Sequence, residues 1–151
     1  MPHRLIVPLL CAASVAFARG SSGHKEATLA ATHHEQRKGE PLSSSLSVNV
    51  QDGLRFQLIV ENNTGKMIEL RFPGGQTHDF IVVDSVGKEV WRWSEGRMFT
   101  QALQNKLIKS RDTAVFADTW EASGMHGNFT AVAILTSNNH PLEQRVDFSL
   151  K

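Results

Sequence analysis

The sequence predicts an all-β domain: an antiparallel β-sandwich of about eight strands, with no disulfide. Three observations predict it. From Leu46 onward apolar and polar residues alternate with period two, which puts every second side chain on a buried face. Turn residues recur at intervals of roughly 8–12, the spacing of short sandwich strands. Residues 72–101 gather two of the three Trp between glycine-containing turns, and large rings supply most of the buried area in a small core. No stretch of the domain keeps a 3.6-residue period long enough for a docked helix.

The chain opens with the form of an export signal over residues 1–18. Arg4 supplies a positive start, residues 5–17 an apolar run, and Ala16-Phe17-Ala18 a small-x-small cleavage site. The run has 13 residues, whereas a bilayer span needs about 20. A buried N-terminal helix is disfavoured by Pro8 and by the absence of a polar face. The expectation is an extracytoplasmic protein, secreted or periplasmic. Cys11, the only cysteine, falls inside this segment. The mature chain would then have no disulfide, no thiol nucleophile and no thiolate metal site. Residues 19–45 carry no aromatic side chain and few large apolar ones, so they read as a flexible linker.

The sandwich domain is expected over 46–151. Leu46, Val48 and Val50 alternate with polar residues, and Asp52-Gly53 is a turn signal. Leu54, Phe56, Leu58 and Val60 make the next half-buried strand, and Asn62-Asn63-Thr64-Gly65 turns the chain. Ile68, Leu70 and Phe72 alternate until Pro73-Gly74-Gly75 breaks the strand. Phe80-Ile81-Val82-Val83 is apolar on both faces, the mark of a central strand. Trp91 and Trp93 share one face of the strand after it, and Ser94-Glu95-Gly96 turns again. Residues 105–112 hold one apolar pair, Leu107-Ile108, and suit a short edge strand. Residues 114–120, 129–135 and the alternating Val146, Phe148 and Leu150 complete the set. Immunoglobulin-like topology fits this size and strand count. The inter-sheet disulfide of that architecture is missing, so the aromatic cluster must fill its place.

Composition removes several function classes. A formal net charge of +1 lacks the basic footprint of a nucleic-acid binder or a polybasic membrane-surface protein. Ser94 sits between Trp93 and Glu95, not in a Gly-x-Ser-x-Gly elbow. His78-Asp79 looks like half of a triad, but neighbours on a strand face opposite ways. A structural pair is the better reading of those two residues. Residues 73–76 precede a strand and not a helix, so their glycines cradle no phosphate. His24, His33 and His34 lack the partners of a metal shell, and Asp79, Asp84 and Asp118 match no calcium-loop spacing. The expectation is no catalytic residue, no cofactor, no metal and no enzyme. Sequons stand at Asn62-Asn63-Thr64 and Asn128-Phe129-Thr130; they matter only in a host that glycosylates exported proteins.

One combination is specific. Phe72-x-x-Gly75-Gln76-x-x-Asp79-Phe80 is followed by Trp93-Ser94-x-Gly96-x-x-Phe99-x-Gln101. With Asn62-Asn63-Thr64, Val90-Trp91-Arg92 and Trp120, it resembles the BsuPI family of intracellular proteinase inhibitor domains over roughly residues 47–150. The resemblance departs at His78, where relatives often carry an aromatic residue, and at residues 109–112, which replace a Pro-Gly-Glu type of turn. It implies an immunoglobulin-like sandwich that binds and inhibits serine proteinases of the subtilisin type through loop contacts. It transfers no reactive site. The matching residues look structural, and Trp91 and Trp93 read as core packing. The candidate contact loops are 73–77, 94–98 and 122–128, with Gly74, Gly75, Gln76, Ser94, Glu95, Gly96, Arg97, Met125 and His126 as candidate contact residues. The partner would be a protein, and the chain a monomer. The alternative is a non-inhibitory interaction or adhesion module of the cell envelope.

Overall fold

The computed structural model describes residues 28–33, 40–50 and 53–151. The described residues form ten strands and no helix: β1 Thr28–His33, β2 Leu42–Val50, β3 Leu54–Asn62, β4 Ile68–Phe72, β5 His78–Asp84, β6 Glu89–Arg92, β7 Gln104–Ile108, β8 Thr113–Trp120, β9 Gly127–Leu135 and β10 Leu142–Leu150. One sheet has the order β1-β2-β3-β8, the other β10-β9-β5-β6, and β4 pairs with β7 as a separate ribbon. Every pairing is antiparallel. Without β1 and the ribbon, β2-β3-β8 faces β10-β9-β5-β6. That interleaving is the immunoglobulin-type sandwich.

The alternation in sequence sets which side chains face inward. Leu46 and Val48 of β2 pair with Leu58 and Phe56 of β3, and all four are fully buried. The doubly apolar strand β5 lies between β9 and β6, with Asp79 to Val82 buried in succession. At the centre, Phe56 stacks on Phe80 at 5.5 Å and on Trp91 at 5.3 Å, and Trp91 stacks on Trp120 at 5.2 Å. This column of rings joins the two sheets, with small Ala131 and Ala133 of β9 buried in the same core.

The expected linker differs from what the structure shows. Within 19–45 lie β1 and the first residues of β2. The serines conceal the strand because Ser44 faces inward, 7% exposed, and its hydroxyl accepts a bond from Gln144 Nε2 at 2.8 Å. A hydroxyl partnered in this way can be buried at little cost, so β2 needs no apolar residue there. The proposed signal, residues 1–18, lies outside the described residues. No helix among the described residues is long and apolar enough to cross a membrane.

Asn62 ties the ribbon to the first sheet. It is fully buried at the end of β3, and its Nδ2 donates to the carbonyls of Lys66, Ile108 and Lys109 at 2.7–3.1 Å. Its Oδ1 accepts from the Thr64 N–H and hydroxyl. A side chain so enclosed is a structural bracket, and this sequon asparagine offers no exposed amide for a glycan.

Candidate functional site

The β5 strand separates the three expected loops into two groups. Residues 73–77 enter β5 at His78. Residues 94–98 leave β6 at the same end, since Arg92 pairs with Ile81 and the Trp93 N–H donates to Phe80 O at 2.8 Å. The loop before β9 meets the opposite end, where Phe129 pairs with Asp84. Gly74, Gly75, Gln76, Ser94, Glu95, Gly96 and Arg97 therefore share one end of the sandwich. Met125 and His126 do not join them. Met125 packs against the core, and His126 is exposed beside it.

Asp79 organises the shared end. Its side chain is 5% exposed and lies between the loops. Oδ1 accepts from the Ser94 N–H at 3.1 Å, and Oδ2 from the Ser94 hydroxyl at 2.7 Å. Arg92 Nη1 donates to Oδ2 at 3.0 Å, with Gln76 Nε2 at 3.4 Å. One buried carboxylate thus fastens the 73–77 loop through Gln76 and the 94–98 loop through Ser94. Such charge-assisted bonds are stronger than neutral ones. Arg92 also holds Glu89 at 2.6 Å. That bond, and then the one to Asp79, keep the guanidinium above its ordinary pKa range, and the bond to Arg92 depresses the Glu89 carboxyl.

His78 points the other way, as its neighbour relation to Asp79 requires. Its Nε2 lies 3.2 Å from Asp118 Oδ2 on β8, in the opposite sheet. The ring stacks on Trp93 at 4.4 Å between centroids and also meets Phe80 and Phe116. Burial pushes the His78 pKa below its ordinary value, outweighing the opposing pull of Asp118. The neutral ring then donates from Nε2 to Asp118 and accepts from the Thr77 hydroxyl at Nδ1, 3.1 Å away. His78 and Asp79 act on different partners in different directions, so they make no catalytic pair.

The sequence places the stretch after Trp93 among turns, and contacts with the Trp93 ring and the Gly75 backbone hold it. The Arg97 guanidinium lies 4.5 Å from the centre of the Trp93 ring, and its Nε donates to Trp93 O at 2.8 Å. Phe99 packs on the same ring at 5.5 Å. Further along, Thr100 O accepts from the Gly75 N–H at 2.8 Å. A Cβ on Gly74 would lie 2.7 Å from Thr100 O, and one on Gly75 2.8 Å from Thr100 Oγ1. At Gly74 glycine is required because backbone meets backbone, whereas at Gly75 the first obstacle is the Thr100 side chain and the backbone N of Thr100 follows at 3.2 Å. Asp79, Trp93, Phe99 and Thr100 shape this end without having been candidate contact residues. The Gln76-x-x-Asp79 spacing and the alternation of Arg97 and Phe99 about Met98 were their visible signals. Among the described residues, no group of three His, Asp, Glu or Cys is arranged to hold a metal ion.

A comparison with protein families settles the kinship of this chain. The family model for BsuPI, intracellular proteinase inhibitor, matches residues 42–140. The chain belongs to the BsuPI family. The matched span starts at the first residue of β2 and ends beyond β9, so it takes in the Asp79 corner and both loops fastened to it. No curated protein matches the chain. BsuPI is a family of proteinase inhibitors and not of enzymes, and it implies a proteinase as the protein partner. It also corrects the expected location. The family is described as intracellular, which points to the cytoplasm and overturns the extracytoplasmic reading drawn from residues 1–18. An apolar start with a small-x-small site is a short pattern of low information, and it loses to a match spanning most of the fold.

Proposed function

We propose that this BsuPI domain inhibits an intracellular serine proteinase of the subtilisin type, as a monomer, through the loops at the His78 end of β5. The observation that carries this reading is the fastening of both loops to one buried carboxylate, Asp79. Inhibition without chemistry of its own requires a segment that stays ordered while a proteinase cleft closes on it, because ordering on contact would subtract from affinity. In a domain without a disulfide, that order must come from packing and hydrogen bonds, and the Asp79 corner provides both. Gly74, Gly75, Gln76, Ser94, Glu95, Gly96 and Arg97 belong to this contact surface; Met125 and His126 lie away from it.

The test is a titration of the full chain against a panel of subtilisin- and trypsin-like proteinases, with residual activity and chain integrity followed together. The expected outcome is stoichiometric loss of proteinase activity while the chain remains intact. Full proteinase activity at saturating chain would refute the reading and leave a sandwich that binds some other protein.

A further inference from the structure

Within the shared loop surface one side chain stands apart. Met98 is 99% exposed, although both its neighbours are held down on one ring. Arg97 lies over the Trp93 ring, and Phe99 packs against the same ring at a tilt. Trp93 itself stacks on His78. The segment 97–101 makes no strand, turn or bend, and at its far end Thr100 O is bonded to the Gly75 N–H. The chain thus crosses this end as a short run without a turn or bend, held before and after Met98, with the methionine exposed on it. Proteinases read extended segments side chain by side chain in successive pockets.

We infer that Met98 is the residue this domain inserts into the primary specificity pocket of its target, a proteinase whose pocket accepts a long, unbranched apolar side chain. This rests on the inhibitor reading above and names the residue that would set its specificity. Other exposed apolar residues do not share the geometry. Val86, 85% exposed, sits in the tight turn after β5, where Asp84 Oδ1 collects the N–H groups of Val86 and Lys88. That turn curls back on itself at the opposite end of β5 and offers no turn-free run to a cleft. Leu103, 79% exposed, follows the clamp without a fixed residue of this kind on both sides. An exposed methionine adds nothing to folding, whereas in a fitted pocket its flexible, polarizable side chain makes many contacts.

The experiment compares Met98→Ala, Met98→Lys and Val86→Lys with the unaltered chain, against a proteinase with an apolar primary pocket and against a trypsin-like one whose pocket carries a carboxylate. Met98→Ala is expected to weaken inhibition of the first by roughly ten- to a hundredfold, as for a hot-spot side chain. Met98→Lys is expected to lose the first proteinase and gain the second, with Val86→Lys unchanged and all thermal midpoints alike. If the unaltered chain inhibits but both Met98 variants inhibit equally well, the inference falls and the inhibitor reading stands. If the unaltered chain inhibits none of the panel, the inhibitor reading falls and the inference with it. Retargeting by Met98→Lys is an outcome that mere misfolding cannot mimic.

Discussion

Replacing Asp79 by Ala tests the organisation of the candidate surface. The carboxylate is 5% exposed and accepts two bonds from Ser94 and one from Arg92 within 3.1 Å. A hydrogen bond to a charged group contributes about 1.5–3 kcal/mol. The Arg92 contact counts for less than the others, because Arg92 is 35% exposed and retains Glu89. The expected loss is about 3–4 kcal/mol, within the range of about 3–5 kcal/mol for removing one partner of a buried pair. Asp79→Asn keeps the shape and can still accept from the Ser94 N–H, but it turns an amide donor toward Arg92, so about 2 kcal/mol is expected. Urea unfolding followed by tryptophan fluorescence reads both, since Trp93 adjoins the corner. With a slope of about 1–1.5 kcal/mol per molar urea for a small domain, Asp79→Ala should lower the midpoint by roughly 2–4 M. A drop below about 0.5 M would show that the corner contributes little, and the account of how the two loops are held would have to be abandoned.

Three further predictions follow from single sites. The His78 pKa is lowered in the folded chain from its ordinary 6.5, so the unfolded chain takes up the proton first as pH falls. The contribution of the neutral ring is complete above pH 6.5 and is lost progressively below it. His78→Phe should flatten that part of the stability–pH curve relative to the unaltered chain, and equal slopes below pH 6.5 in paired denaturation series would contradict the assignment. Gly74→Ala should destabilise by about 1–3 kcal/mol through overpacking against Thr100 O, while Gly65→Ala, with open space around its Cβ position, serves as the tolerant comparison in the same thermal melts. Arg111 holds a positive φ of 59° in the turn before β8, so Arg111→Gly should stabilise by about 1 kcal/mol, and calorimetry showing a lower midpoint would count against strain there.

Much of the architecture was present in local pattern. The period-two runs of β3 and β10 put Leu54, Phe56, Leu58, Val146 and Phe148 inside, and each is buried. The doubly apolar run at residues 80–83 marked a central strand, and β5 is one. The opposition of His78 and Asp79 could also be read, because it depends only on strand geometry. Strand β2 begins four residues before its alternating pattern does, since a buried serine and a solvated serine are the same letter. Gln144, one hundred residues away, decides which Ser44 is.

The amino-acid sequence by itself determined that this chain is an all-β sandwich without a disulfide, that its rings gather between the sheets, and that its family is BsuPI. Those properties follow from periodicity, composition and motif, which are written along the chain. Tertiary structure alone decided that two of three candidate loops meet at one end of β5, that Asp79 binds them together, and that Arg97 and Phe99 grip one ring and leave Met98 exposed. Each of these joins residues on different strands or loops. Their proximity depends on sheet order and on which ends of the strands coincide, and no local propensity carries that information.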